Sequence, residues 1–178
     1  TLRPRDAATA GLSPAGLHRA AHTGGYERIA RGLYRPAHAP TADHDWIEAA
    51  TRRPEATLCL TSALAHHDLI DTRPLDVAIP RGHHSPATTG AITWQDFDRA
   101  TFSLGRIQIT IPDTQETIGL YTAERSVADA LRLRGTIRYQ LGLDALKEWL
   151  HHGGKPAHLL DLATQLPRTD NPSSKPCR

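Results

Sequence analysis

The spacing of apolar residues changes period several times along the chain, and each change marks an element. Ile107–Ile111 alternates strictly between apolar and polar residues and stops at Pro112, which predicts a strand. Leu75–Ile79 alternates in the same way between Pro74 and Pro80. Thr57–Leu60 reads as a short buried strand, Ile118–Tyr121 as another, and Arg81–Gly90 as a loop. Helical spacing takes over in Asp43–Arg53, with Trp46, Ile47, Ala49 and Ala50 inward and Pro54 as the stop. Thr61 or Ser62 fits the cap of a helix carrying Leu64, Ala65 and Leu69. Thr122 fits the cap of a helix running to Arg134, with Val127, Ala130 and Leu131 on one face. Two more helices follow, Leu143–His152 ending at Gly153-Gly154, and one from Pro156 carrying Leu159, Leu160, Leu162 and Ala163. Past Pro167 the sequence turns polar and Pro-rich, a composition that predicts disorder.

The first 36 residues follow a different plan. Pro4 suits the first turn of a helix through Ala10, and Gly11 can take the left-handed conformation that ends it. Leu12 is placed to plug the core, and Ser13-Pro14 is an N-cap followed by a first-turn proline, so a second helix starts there and runs to Gly24-Gly25. Helix, glycine turn, helix is the helix-turn-helix pattern. Tyr26–Ala30 and Leu33–Arg35 then read as strands of a hairpin about Arg31-Gly32, the position of a wing.

Charge sharpens this picture. The chain of 178 residues carries a net charge of only +2, which says little about partners. Its distribution says more, because Arg3, Arg5, Arg19, Arg28, Arg31 and Arg35 stand against only Asp6 and Glu27 in the N-terminal module. In such a module the second helix enters the major groove. With Leu17, Ala20 and Ala21 inward, Ser13, Ala15, Gly16, His18, Arg19 and His22 are left to face DNA in part, and the small residues Ala15 and Gly16 allow close approach to base edges. Arg19 suits a guanine edge or a phosphate. Arg28, Arg31 and Arg35 suit backbone phosphates beside the groove.

The expected fold class is therefore α/β (α+β): a winged helix-turn-helix in 1–36, a Pro/Ala linker in 37–41, a mixed α/β domain with C-terminal helices in 42–165 and a disordered tail in 166–178. Hydrophobic residues at 39% permit a real core, but aromatics at 5% leave it to Leu, Ile, Val and Ala. Nothing approaches a membrane span or a signal peptide, which makes the cytoplasm the expected location. The chain has no methionine, so either an initiator was removed before Thr1 or the sequence is a fragment. Cys59 and Cys177 form no disulfide framework, and Cys59, inside an apolar run, reads as a buried thiol.

The remaining constellations carry little chemistry. Eleven histidines fall partly in adjacent pairs, His66-His67, His83-His84 and His151-His152, whose side chains diverge on a helix. His67 and Asp71 are four apart and fit one helix face, but no third ligand is evident, so no metal is expected. Arg125 and Asp129 read as an ordinary helix ion pair worth roughly 0.3–0.5 kcal/mol. Trp46, Trp94 and Trp149 read as core or interface anchors. No phosphate loop, zincin helix or nucleophile elbow is present, and Lys147, Lys155 and Lys175 stand apart from carboxylate clusters, so neither an enzyme nor a cofactor is expected.

The N-terminal stretch also resembles a known family. Ala10–Ser13, Leu17 and the run Gly25–Arg35 are similar to the N-terminal module of the AbiEi antitoxins of type IV toxin–antitoxin (abortive infection) systems, the wing being the most recognisable piece. Leu60–His67 and Thr122–Asp129 resemble later helices of the family, so the likeness spans about 1–165. The family module usually has a further helix ahead of Leu2, which this sequence does not show, and the C-terminal end is short against the family. The resemblance implies a repressor that binds inverted repeats in its own promoter. It also implies a C-terminal antitoxin domain opposing a nucleotidyltransferase-like toxin without a stable complex. Two other classes stay open: a winged-helix regulator with a ligand-sensing C-terminal domain, and a nuclease-like enzyme using the N-terminal module for targeting. A toxin gene in the same operon separates the first from the antitoxin, and metal-dependent DNA cleavage would reveal the second.

Overall fold

The computed structural model describes residue 2 and residues 4–30, 32–37, 44–71, 75–88, 90–112, 114–133 and 137–167. Arg3, Arg31, the linker residues 38–41 and the tail from 168 onward lie outside the described residues, so the expectations placed on them are not met by any observation.

Pro4–Ala10 winds as a 3-10 helix rather than an α-helix and ends where Gly11 takes φ +69°. Helix α1, Pro14–His22, begins at the predicted cap: the Ser13 hydroxyl accepts the Gly16 N–H at 3.0 Å and Pro14 occupies the first turn. Strands β1 (Tyr26–Ala30) and β2 (Leu33–Pro36) pair antiparallel, with an irregularity between Arg28 and Ala30, and Gly32 supplies the positive φ at the turn.

Helix α2, His44–Arg52, buries Ile47, Glu48 and Ala49, while Trp46 and Ala50 are half-buried. Strand β3 is shorter than its sequence suggests, Thr57–Leu58, because Leu60 already opens helix α3, Leu60–His66, with φ +45°. The expected Thr61 or Ser62 cap does not form, and Cys59 takes the cap position without a side-chain hydrogen bond. The two hydroxyls are engaged elsewhere: Thr61 donates to the Asp76 carboxylate and the Ser62 hydroxyl accepts the Asp76 N–H at 2.6 Å. These bonds tie the start of α3 to strand β4, Leu75–Pro80.

Strand β5, Ile92–Phe97, was not predicted; it pairs parallel with β4 at the sheet edge, where half-exposed positions blur the alternation. Strands β6 (Arg106–Thr110) and β7 (Thr117–Tyr121) fall where the sequence predicts strands and pair antiparallel. The resulting five-stranded mixed sheet has the order β5-β4-β3-β7-β6, with β3–β7 parallel and β3–β4 antiparallel. Helix α4, Ala123–Arg132, is capped by Thr122; α5 starts earlier than predicted, Tyr139–His151; α6 is Pro156–Gln165. The fold is thus mixed α/β, as the sequence predicts.

The two faces of the sheet support different cores. Cys59, Ala78, Phe97 and Tyr121 pack with Leu64, Val127, Ala130, Ala145 and Trp149 of the later helices. On the other face Leu58, Val77, Ile118 and Leu120 pack with Ile47 and Ala49 of α2. A separate cluster joins Ala7, Leu17 and Tyr34 with the flanking Leu2, Leu12, Ala21 and Tyr26. Cys59 is fully buried as expected, and burial pushes its thiol pKa well above the ordinary value.

The Arg125–Asp129 pair is not the exposed helix pair that its spacing suggests. Both side chains are 1% exposed, and Arg125 Nε donates to Asp129 Oδ2 at 2.7 Å. Arg125 Nη1 also donates to the Thr101 and Leu104 carbonyls at 2.8 and 2.6 Å, and Arg132 donates to Asp129 Oδ1 at 2.8 Å. The helix pair is therefore the centre of a buried network that pins the 101–105 turn to α4.

Candidate nucleic-acid interface

The exposed face of α1 is the candidate reading surface, and its stripe follows from helical spacing. Ala15, His18, Arg19 and His22 fall at i, i+3, i+4 and i+7, and all four are exposed, as is Ser13 at the cap. Leu17 is fully buried on the opposite side, and Ala20 and Ala21 are half-buried. The His18 and His22 rings stack at 5.6 Å between centroids, and His18 meets the Tyr34 ring edge-on at 6.1 Å. Tyr34 is buried in β2, so the stripe is anchored to the hairpin behind it.

Gly16 has a purpose different from the one its size suggests. It is half-buried, and a Cβ there would sit 3.1 Å from Ser13 Oγ. Its smallness therefore leaves room for the Ser13 hydroxyl at the helix cap.

The wing places Arg28 exposed on β1, opposite Tyr34, and Arg35 in β2 opposite Glu27. Arg31 lies outside the described residues. One contact had no signal in the sequence: Leu2 bridges Tyr34, donating its N–H to the Tyr34 carbonyl at 2.7 Å and accepting the Tyr34 N–H at 2.9 Å. Leu2 thereby extends the hairpin by one strand-like residue, and its side chain packs on the Ala7–Leu17–Tyr34 cluster. Behind the wing, α2 lies alongside β1.

Three histidines elsewhere have hydrogen-bonding or ionic partners. His67 Nε2 lies 2.8 Å from the Tyr121 carbonyl, His83 Nδ1 lies 2.7 Å from Glu55, and His152 lies 3.2 Å from Glu148. His67 and Asp71 share no helix face, because α3 ends at His66. Among the described residues no group of three or more His, Cys, Asp or Glu is placed to hold a metal ion. Among the same residues no helix is long and apolar enough to cross a membrane.

A short helix, a glycine turn, a second capped helix and a two-stranded hairpin, closed over one small core, are compatible with a winged helix-turn-helix. Residues 1–37 match the family described as transcriptional regulator, AbiEi antitoxin, so the match covers this module and the residue after it. No curated protein matches the chain.

Proposed function

We propose that the protein is a DNA-binding transcriptional autorepressor and the antitoxin of a type IV, AbiE-like toxin–antitoxin system. The observation that carries the reading is the exposed Ala15–His18–Arg19–His22 stripe on a capped helix, within the segment that matches the antitoxin regulators. The stripe reads base edges in the major groove, with Ser13 at the cap, while Arg28, Arg31 and Arg35 grip phosphates beside it. The operator is an inverted repeat in the protein's own promoter. The functional partner is a nucleotidyltransferase-like toxin opposed without a stable complex, and both work in the cytoplasm without a cofactor. The protein acts by binding and not as an enzyme.

The same reading assigns 1–36 to DNA, 37–41 to a linker and 42–165 to the antitoxin domain. In its support, the Ala7–Leu17–Tyr34 core uses residues of the first segment alone, while the two sheet cores use residues beyond 45.

The deciding experiment compares Arg19→Ala and Arg28→Ala on promoter and scrambled duplexes at one fixed salt concentration. Arg19→Ala should cost about 1–3 kcal/mol on the promoter and far less on scrambled DNA. Arg28→Ala should weaken both alike, because phosphates carry no sequence information. Equal losses on both duplexes for Arg19→Ala would remove α1 from the major groove.

A further inference from the structure

Three rings form a ladder on the exposed face of α1. His22 stacks on His18 with 5.6 Å between centroids and 28° between planes, and His18 meets Tyr34 edge-on at 6.1 Å. Tyr34 is 3% exposed, so the ladder starts on a fixed core side chain and ends in solvent, where both imidazoles are exposed. Among the described residues these ring contacts are the only partners of His18 and His22, and no hydrogen bond or ion pair holds their ring nitrogens.

The chain offers the pair no counter-charge. Helix α1 carries no carboxylate, and Arg19 follows His18 on the exposed face. The 3-10 helix packed on α1 brings Arg5 and Asp6, and β1 brings Tyr26, Glu27 and Arg28. Strand β2 brings Tyr34 and Arg35, with Arg35 in register with Glu27. Among the described residues none of these acids ion-pairs with either imidazole. A proton on the pair therefore meets Arg19 and gains no partner within the protein.

Bound DNA reverses that balance. Phosphate oxygens are anionic, and guanine N7 and O6 only accept, so an imidazolium with two N–H donors is favoured over a neutral ring with one. The stacking limits the gain to about one proton for the pair, because a second would set like charges 5.6 Å apart.

We propose that His18 and His22 couple operator binding to proton uptake, so that the α1 face holds DNA more tightly as pH falls across the neutral range. The inference rests on α1 being the DNA-reading helix. By linkage, a complex that binds more protons than its separate parts gains affinity as pH drops, and one whole proton is worth about a factor of ten per pH unit. The pair thus adds to Arg19 a positive charge that the complex itself stabilises, and operator occupancy follows the pH of the surroundings. His66 acts in the opposite sense, since burial lowers its pKa and makes the fold less stable as pH drops, so unfolding cannot mimic the effect.

Calorimetric titration of the full chain with promoter duplex, at one salt concentration and in two buffers of different ionisation enthalpy, counts the protons directly. At about pH 7 the parent should take up roughly half a proton to one proton, and its affinity should rise by roughly tenfold between about pH 8 and about pH 6. The double variant His18→Gln, His22→Gln should keep the parent melting temperature, because both side chains are exposed, and should show uptake near zero and an affinity flat with pH. His22→Lys, whose charge is permanent over this range, should raise the affinity at about pH 8 toward the parent's value at about pH 6, an effect that a purely structural role of the ring would not give. Uptake near zero in the parent, or undiminished uptake in the double variant, overturns the proposal while leaving α1 as the reading helix. Failure to bind promoter duplex at every pH refutes that helix assignment, and the proposal falls with it. If the double variant does not melt cooperatively, the buffer dependence of the parent and the His22→Lys chain decide.

Discussion

The Arg125 guanidinium carbon lies 4.5 Å from the centre of the Tyr121 ring while its Nε donates to Asp129 at 2.7 Å. The charge is thus covered by an aromatic face on one side and neutralised by a carboxylate on the other. Gly105, in the turn that Arg125 holds, has φ +66° and would place a Cβ 2.9 Å from Arg125 Cβ.

Asp129→Ala should therefore destabilise the protein by about 3–5 kcal/mol, because it leaves a buried guanidinium without its counter-charge. Urea unfolding measures the loss. A change below about 1 kcal/mol, the range of an exposed pair, would mean that the network is not buried as described.

Ser13→Ala removes the oxygen that accepts Gly16 N–H and should cost about 1 kcal/mol of stability in the N-terminal module. Because Ser13 also borders the reading stripe, promoter affinity should fall as well. Substitution by Asp, which caps equally well, should restore the module's stability. Amide exchange at Gly16 and Leu17 measures the cap separately from DNA binding; unchanged exchange in Ser13→Ala would refute the capping role.

A fragment of residues 42–165 should keep a cooperative unfolding transition, since neither sheet core includes a residue of the first 36. It should still protect cells from the toxin but fail to repress the promoter. The contact of α2 with β1 predicts a modest loss of melting temperature on removing the hairpin. A fragment without cooperative melting would tie both regions into one folding unit.

His66 gives a pH dependence. Burial, with a smaller contribution from His67, lowers its pKa below the ordinary 6.5. The unfolded chain then binds the proton more readily than the folded one, so stability falls as pH drops from 7 through 6.5 toward the folded-state value. His66→Gln should flatten this part of the stability profile. A variant with the parent slope between pH 7 and 5.5 would rule His66 out as its source.

DNA binding should weaken steeply with salt, with a log–log slope of about −0.9 for each phosphate neutralised. Affinity measured from low to moderate salt gives the slope. Removing Arg28 should reduce its magnitude by about one contact, and a salt-independent affinity would contradict the phosphate-gripping wing.

What the sequence discloses depends on whether a signal is local. The Ser13-Pro14 cap, the glycine at the wing turn and the alternation of Ile107–Ile111 are local, and each appears where the chain predicts it. Strand β5 was missed because an edge position leaves Thr93 and Asp96 exposed and breaks the two-residue rhythm. The Thr61 and Ser62 hydroxyls look like caps in sequence, but Asp76, fourteen or fifteen residues away, claims them. Burial of Arg125 has the same origin, since the Thr101 and Leu104 carbonyls that satisfy it come from a distant turn. On the candidate interface the stripe on α1 was legible from helical period, whereas the Leu2 bridge to Tyr34 and the role of Gly16 at the cap needed the structure.

The position of Cys59 gives the protein an internal clock. With Cys177 replaced by serine, Cys59 is the sole thiol, and it sits among Leu64, Tyr121 and Val127, where an alkylating reagent reaches it only when that core opens. Labelling time then reports excursions of the sheet and its later helices, while fraying of the N-terminal module, whose core is separate, passes unrecorded.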